Sequence, residues 1–524
     1  MPQLTINGRS VTVENGVTVL EAARGLGITL PTLCHLPGKP AFTSCMICVV
    51  KNEVTGRLIP SCSAPVMEGM VITTDSDEVR QERKKILDLL LSEHSGDCEA
   101  PCTTTCPARM DIPLMIRQIA GGQLKEAYET VTDRIALPAV LGRICPAPCE
   151  KACRRGHHDA PVSICLLKRF AADEALKVDA DVPPSPEGLR RTSRAASAPD
   201  KRIAIIGAGP AGLAAAFYLA RSGYACTVLD EHEAPGGQLQ YRVARDKLPM
   251  DVLDREIDVI RKLGVLFQMN TRIEPGAGIQ RLKANYDAIV LTPGRTHGDS
   301  WHLWPVESDG RGVKVETGTF RTSDPMIFAG GEVVHAGQMS VRAVAHGKSI
   351  ACAIDQWLGG RPVVGLEKSF ESRLGQLKEG EIGEMMKDAD PGTRVEPEGE
   401  HGAGYSTDKA VQESRRCLQC DCRKAKHCKL RDLSVEYGAS QKVFTGSSRT
   451  KFVKTVSPQV IFEPGKCIKC GICVRLSGLA FLGRGYETVV GVPFGDSLKS
   501  ALGSAAADCV RNCPTGALAW KADA

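Results

Sequence analysis

Residues 202–230 read R-I-A-I-I-G-A-G-P-A-G-L-A-A-A-F-Y-L-A-R-S-G-Y-A-C-T-V-L-D, and Pro235, Gly236 and Gly237 follow. An apolar strand, Ile203 to Ile206, runs into Gly207, Gly209 and Gly212. A helix of small residues comes next, then a second apolar strand, Thr227 to Leu229, that ends in Asp230. This is the order of a dinucleotide-binding βαβ unit. The first glycine permits the tight turn, the second lets the backbone approach a pyrophosphate, and the third lets helix pack on strand. The helix N-terminus then faces the phosphates, and Asp230 is placed to accept from a ribose hydroxyl.

Residues 326–349 bear on which nucleotide is bound: M-I-F-A-G-G-E-V-V-H-A-G-Q-M-S-V-R-A-V-A-H-G-K-S. This stretch resembles the closing motif of FAD-dependent pyridine-nucleotide oxidoreductases, which usually read A-G-D there. The resemblance implies that Glu332 binds the flavin ribityl chain. A helix starting near Met339 and Ser340 would aim its free N–H groups at the pyrimidine end of the flavin. Asp230 followed by Gly236 and Gly237 is similar to the FAD site of the glutamate synthase small-subunit family. The cofactor expected is FAD. Carried over residue by residue, its site comprises Gly207, Gly209, Pro210, Ala211, Gly212, Asp230, Glu231, Gly237, Gln238, Gly331, Glu332, Ser340 and Val341.

The 524 residues predict three or more domains, of class α/β and α+β together. A net charge of +5 is mild for this length and gives no reason to invoke nucleic acid or membrane. No apolar run is long enough to span a bilayer, and the polar N-terminus is no signal peptide, so a cytoplasmic location is expected. There the 22 cysteines read as metal ligands rather than disulfides. All but Cys226 and Cys352 lie outside the flavin domain, at short spacings.

Residues 1–77 alternate apolar and polar at the start, predicting a hairpin, then a short helix over Val19–Gly25 and a cysteine loop. Cys34, Cys45, Cys48 and Cys62 can enclose a [2Fe–2S] cluster, with zinc as the alternative. The spacing resembles the N-terminal β-grasp ferredoxin domain of the complex I large iron–sulfur subunit and related hydrogenases. Residues 78–93 predict an amphipathic helix with Val79, Ile86, Leu89 and Leu90 on its buried face. In the complex I family that helix leads into H-x3-C, matched here by His94 and Cys98. The resemblance makes His94 a ligand of a [4Fe–4S] cluster; a structural histidine is the alternative.

From Cys98 the pattern resembles another family. Cys98, Cys102 and Cys106-Pro107, then Cys145, Cys149 and Cys153, look like the helical two-cluster domain of the glutamate synthase small subunit and dihydropyrimidine dehydrogenase. Carried over, one cubane takes Cys98, Cys102 and Cys153 with His94. The other takes Cys106, Cys145 and Cys149, with Cys165 assigned as its fourth ligand. The family's opening C-x2-C lacks its first cysteine here.

The helical domain is expected to end near 177. Residues 178–200 then read as a Pro/Ser/Ala-rich linker and 201–362 as the flavin domain. Roughly thirty residues separate the strand end at Gly294 from the return at Phe328, too few for a second, nicotinamide-binding Rossmann domain. Residues 363–410 are charged and Gly/Glu-rich and predict a poorly structured connection. In 411–450, Cys417, Cys420, Cys422 and Cys428 suit a further [4Fe–4S], with structural zinc as the alternative.

Residues 451–524 resemble the two-cluster ferredoxin-like domain of the complex I large subunit. Cys467, Cys470, Cys473 and Cys513 match one cubane. Ser477, Gly503 and Ala506 occupy the other cubane's places and leave only Cys509.

The expectation is one FAD, one [2Fe–2S] and three to four [4Fe–4S] clusters. The chain reads as an electron-transferring subunit of a cytoplasmic oxidoreductase with no nicotinamide site of its own. Its expected partners are an NADH-oxidising flavoprotein, a hydrogenase or formate dehydrogenase, or ferredoxin. A self-contained enzyme bifurcating electrons between NAD(P)H and ferredoxin is the alternative. A relic flavin beside a ferredoxin relay is a third possibility, opposed by the intact G-A-G-P-A-G and Glu332.

Overall fold

The computed structural model describes residues 1–178, 201–295, 300–337, 339–367, 369–397, 403–444 and 449–521. Two compact units emerge, each assembled from separate stretches of chain. One contains Met1–Ala100, Ser369–Ala389 and Leu418–Ala524; the other contains Pro101–Lys368 and Asp390–Cys417. The expected linker at 178–200 lies, from 179 onward, outside the described residues.

The first unit begins with the expected hairpin, Gln3–Ile6 paired antiparallel with Arg9–Thr12. Gln3–Ile6 also runs parallel to Met70–Thr73, and Val49–Asn52 and Arg57–Pro60 complete a five-stranded mixed sheet. The helix Val19–Gly25 lies at the predicted residues because Thr18 and Glu21 form a capping box, each side chain bonding the other's backbone N–H. Its Val19, Leu20, Ala22 and Ala23 enter one apolar cluster with Leu4, Ile6, Val50 and Ile72.

Ser76 caps the next helix, Asp77–Ser92. Its buried face is Val79, Arg83, Leu87 and Leu91, four residues apart; Leu89, expected inside, is 50% exposed. Leu89, two positions from both Leu87 and Leu91, falls on the opposite side of the helix, whereas their own face carries Arg83. Its guanidinium bonds the Tyr437 hydroxyl at 3.0 Å and the Val49 carbonyl at 2.8 Å, so this charged residue turns inward. This helix and the segment up to Ala100 belong to the first unit, and the rest of the 78–177 stretch to the second.

The C-terminal stretch adds an antiparallel sheet of Thr455–Val456, Val460–Phe462 and Leu518–Trp520. It also adds a two-stranded ribbon, Ala480–Leu482 with Val489–Gly491. The expected loose connection at 363–410 is corrected. Within its 369–389 part, Ser372 and Glu381 are fully buried, Leu374 and Met385 are core residues, and Glu381–Met386 is helical. The charge that suggests disorder is neutralised locally. Both Glu381 oxygens accept from Arg449, at 2.5 and 2.6 Å, and Oε1 also accepts from the Phe452 N–H. Despite burial, these bonds hold the carboxyl at about 2.

In the second unit, helices Ile112–Ala120, Leu124–Thr132, Pro138–Ile144 and Ile164–Lys177 pack together, and Thr407–Arg415 lies against them. A five-stranded parallel sheet follows, ordered Ile327–Ala329, Ala288–Leu291, Arg202–Ile206, Ala225–Leu229, Leu266–Gln268. Glu256, on helix Met250–Lys262, is fully buried and accepts from the N–H groups of Ala139 and Val140 at 2.7 and 2.8 Å. It thereby serves the free N-terminal donors of Pro138–Ile144.

Candidate cofactor sites

The glycines of the βαβ unit meet the three demands made of them. Gly207 has φ +99, and a Cβ there would stand 2.1 Å from the Thr292 carbonyl oxygen. A Cβ on Gly212 would stand 2.0 Å from the Gly207 carbonyl oxygen. At Gly209 a Cβ would meet nothing within 4 Å, and that is the glycine whose backbone must approach a ligand. Helix Pro210–Arg221 begins there with no side chain capping its donors. Ala211 lies against Gly331, so the two ends of the site are joined.

Asp230 accepts from the Ala208 N–H at 2.7 Å and from the His232 N–H at 2.9 Å. Any ribose would share this carboxylate with the loop rather than possess it. Neighbouring Glu231 is exposed. Gln238, just after Gly237, donates through its amide to Glu332, which brings two of the expected residues together. Helix Ser340–Leu358 starts with no side-chain cap, and Ser340 and Val341 are its first two residues.

Thr292 and His346 are not evident from the motifs. The Thr292 hydroxyl bonds the Ile206 carbonyl at 2.9 Å, tying the glycine turn to the next strand. His346 accepts the Gly331 N–H through Nδ1 at 3.1 Å, and burial lowers its pKa to about 4. The described residues between strands Ala288–Leu291 and Ile327–Ala329 hold a short 3-10 turn and a two-residue hairpin, and the two strands are direct neighbours.

In the first unit Cys34, Cys45, Cys48 and Cys62 are buried and within hydrogen-bonding reach of one another. Cys45, then Cys62, draw the Cys34 thiol well down, and Cys62 draws Cys48 to about 6. Thiols that share protons in this way form one donor set.

Cys467, Cys470, Cys473 and Cys513 line one cavity, walled by Phe462, Ile468, Val490 and Leu518. Backbone donors face it: the Lys469 N–H lies 3.3 Å from the Cys467 sulfur. Cys509 is fully buried in the apolar core beside Ser477, whose hydroxyl interacts with its thiol.

In the second unit Cys165 hydrogen-bonds with Cys145 and Cys149. Buried Lys168 lies 3.9 Å from the Cys165 sulfur. Burial alone would depress its pKa, yet Cys165, Cys145, Cys149 and Cys106 together hold it raised. The expected foursome therefore surrounds one lysine.

The remaining cysteines regroup. Of the expected set, Cys98 belongs to the first unit and Cys102 and Cys153 to the second. Within the first unit Cys98 acts electrostatically on Cys422 and Cys428. Of Cys417, Cys420, Cys422 and Cys428, the last three belong to the first unit. Cys417 stays in the second unit at the end of helix Thr407–Arg415, which the buried Glu413 anchors by accepting from Ser163 and Val395 N–H. In that unit Arg416, next to Cys417, acts electrostatically on Cys153. Cys420 borders the cluster of Leu374, Met385, Leu418 and Phe452.

No three His, Cys, Asp or Glu among the described residues close on a position for a single ion.

These features define a class. Residues 2–77 match the model of a 2Fe-2S iron-sulfur cluster binding domain, and 77–180 match dihydropyrimidine dehydrogenase domain II, 4Fe-4S cluster. Residues 205–269 match an NAD(P)-binding Rossmann-like domain. The chain thus joins iron–sulfur domains of two kinds to a dinucleotide-binding fold.

Particular relatives follow. The chain is 39% identical over 209 residues to NADP(+)-dependent formate dehydrogenase subunit beta of Moorella thermoacetica, covering 37% of this chain and 29% of that protein. It is 35% identical over 209 residues to NAD-dependent dihydropyrimidine dehydrogenase subunit PreT of Escherichia coli, covering 39% and 48%. The glutamate synthase [NADPH] small chain of Mycobacterium tuberculosis is 30% identical over 233 residues, 44% and 43%. The matches span under half the length of these relatives. A solved NAD+-reducing [NiFe]-hydrogenase is 30% identical, covering 23% of this chain and 49% of that one, with a TM-score of 0.18.

Proposed function

We propose that this chain relays electrons between a bound FAD and iron–sulfur clusters as a subunit of a larger oxidoreductase. A flavin exchanges two electrons with its partner but can release them singly, and each cluster carries one. The observation that carries the reading is the adjacency of two cluster sites in the first unit. Arg475, two residues after Cys473, donates to the Cys34 carbonyl at 2.7 Å, and Cys34, Cys45 and Cys470 share one apolar cluster. Gly471 of the cubane loop sits beneath the ring of Phe42 in the [2Fe–2S] loop; a Cβ there would lie 2.9 Å from the ring. These contacts bring the two loops side by side.

Cys34, Cys45, Cys48 and Cys62 would hold the [2Fe–2S] cluster, and Cys467, Cys470, Cys473 and Cys513 a cubane. Cys106, Cys145, Cys149 and Cys165 would hold another in the second unit, where Cys102, Cys153 and Cys417 serve a further one. FAD is favoured over a nicotinamide at the Rossmann unit by Glu332, joined to Gln238, and by the uncapped start of helix Ser340–Leu358. The likeness to complex I and hydrogenase subunits fits the same role.

The partners are other subunits of the complex. A nicotinamide-oxidising flavoprotein, a hydrogenase or formate dehydrogenase, or ferredoxin supplies or drains the electrons. No helix among the described residues is long and apolar enough to cross a membrane.

Anaerobic mixing tests the reading. Dithionite or reduced ferredoxin should bleach the flavin of the cofactor-loaded chain, while NADH or NADPH alone should not. Rapid bleaching by either nucleotide alone would restore the self-contained enzyme.

A further inference from the structure

We propose that the basic loop of residues 423–429, with Arg511 and Lys521 beside it, is a docking face for a small acidic one-electron carrier of the ferredoxin kind. The face lies against the cubane ligand Cys513. This deepens the relay reading and rests on it for the identity of the cluster.

The sequence concentrates cations here: residues 423–429 read R-K-A-K-H-C-K, without an acid. The fold then brings two further stretches of the first unit alongside. Lys424 donates through Nζ to the carbonyls of Val510, Arg511 and Cys513 at 2.6, 3.2 and 2.6 Å. Arg423 donates to the Lys521 carbonyl at 2.6 Å, and the Leu430 N–H to the Pro514 carbonyl at 3.2 Å. The contact is close. A Cβ on Gly516 would stand 2.1 Å from the Cys422 sulfur, and the Cys428 sulfur lies 3.8 Å from the Pro514 carbonyl.

The charges form two layers. Arg423 and Lys424 are tucked in and held by carbonyls, Arg423 also by Asp388 at 3.2 Å. Lys426, His427, Lys429, Arg511 and Lys521 are exposed. Lys426 and Lys429 make no ion pair among the described residues. Of the acids alongside, Asp508 pairs with Arg511 at 3.6 Å, Asp388 with Lys454 and Arg423, and Asp421 is buried. Asp432 stands one turn on from Lys429 in helix Lys429–Glu436. Exposed charges contribute little to the stability of a fold, whereas a group of one sign steers an oppositely charged partner into place.

The position of the face gives it a use. Cys470 and Gly471 of the cubane site border the [2Fe–2S] loop, whereas Cys513 and Pro514 border the basic loop. Cys513 is only partly buried, so a partner seated on the loop stands close to a ligand of the cluster. Each encounter moves one electron: the reduced carrier loses it, the cubane gains it, and no bond forms or breaks. Cations placed over a cluster ligand favour a redox protein over a nucleic acid, whose binding needs no cluster beneath it.

The test uses the full chain, loaded anaerobically with iron, sulfide and FAD, and mixed rapidly with a reduced acidic bacterial [4Fe–4S] ferredoxin. Cluster and flavin bleaching are followed separately. In the unsubstituted chain the second-order rate of cluster reduction should fall about tenfold or more as ionic strength rises from about 0.02 to 0.3 M. Combining Lys426→Glu with Lys429→Glu should lower the low-salt rate about tenfold and flatten its salt dependence. Arg9→Glu, on the opening hairpin, should leave that rate within about twofold. Iron per chain reports that the clusters of each variant are intact. A salt-independent rate, or a double variant as fast as the unsubstituted chain, would overturn the proposal. Equal slowing by Arg9→Glu would do the same, reducing the effect to net charge. So would a single-stranded polynucleotide that binds the chain more tightly than the ferredoxin does and is released by the double variant. Clusters that are reduced while the flavin stays oxidised would support the docking face and overturn the relay reading alone, which keeps the two failures distinguishable.

Discussion

Cys422 donates its backbone N–H to the carbonyl of Cys98 at 3.2 Å, uniting cysteines from distant parts of the chain. The bond belongs to a sub-structure in which residues 94–98, 372, 422–428, 466 and 513–516 pack together inside the first unit. Its tightest point is Gly516 against the Cys422 sulfur.

Gly516→Ala should therefore displace Cys422 rather than merely crowd it. Backbone atoms carry the added carbon, so the thiol must give way. The expected result is loss of about four irons and a destabilisation of roughly 1–3 kcal/mol, with the [2Fe–2S] spectrum retained. Iron analysis and thermal unfolding check it. Full iron content in the variant would show that Cys422 is not a ligand.

The dinucleotide turn offers a paired test. Gly207→Ala drives a Cβ to 2.1 Å from a carbonyl oxygen at positive φ, so it should destabilise the second unit by several kcal/mol, about 3 or more. Gly209→Ala meets no protein atom and should leave stability within about 1 kcal/mol. Its flavin content should nevertheless fall at least tenfold. Calorimetry and flavin absorbance per chain separate the two effects.

Lys168 is the counter-charge of the cysteines in the second unit. Lys168→Met keeps much of its bulk and removes the cation, so the reduced, more negative cluster loses more stabilisation than the oxidised one. One cubane potential should fall by on the order of 50–150 mV, as expected for a charge a few ångströms away at an effective dielectric near 20. An EPR-monitored redox titration reads it, and an unchanged set of potentials would place the lysine away from any cluster.

Glu256 supplies a pH dependence. Burial raises its carboxyl to about 8, against the opposing pull of the Val140 and Ala139 N–H groups. The folded state thus holds a proton that the unfolded chain, at an ordinary carboxylate pKa, releases. Its contribution to stability is complete below that ordinary value and is lost as pH rises through about 8. The second unit should lose stability between about pH 5 and 8, and Glu256→Gln should flatten that slope. Denaturant melts across the range provide the check. Glu256→Ala should cost about 1–3 kcal/mol by leaving two buried N–H groups without acceptors.

Elements specified by neighbouring residues are legible in the amino-acid sequence alone. The Val19–Gly25 helix, the opening hairpin and the G-A-G-P-A-G turn each depend on contacts a few positions apart. Arg83 and Leu89 show the limit. Charge argues for Arg83 outside and hydropathy for Leu89 inside, yet Arg83 turns in to bond the Tyr437 hydroxyl and Leu89 is 50% exposed. The stretch around Glu381 reads as disordered by composition because its charge partner, Arg449, lies far along the chain. Cysteine spacing marks candidate donors, whereas their grouping depends on how distant segments pack. Cys417 and Cys428 are close in sequence, yet helix packing assigns them to different units. Lys466 and Lys168 carry a local signal, since each stands within three residues of a cysteine.

The relay depends on the [2Fe–2S] loop and the Cys467–Cys513 cubane being near enough for electrons to pass directly. EPR of the fully reduced, cofactor-loaded chain measures this through spin–spin interaction. The account predicts a [2Fe–2S] signal split or broadened by the neighbouring reduced cubane, with relaxation faster than that of an isolated centre. Cys470→Ser should narrow and slow that signal without changing its intensity. A [2Fe–2S] signal already narrow and slowly relaxing in the unsubstituted chain, with every cubane reduced, would contradict the relay.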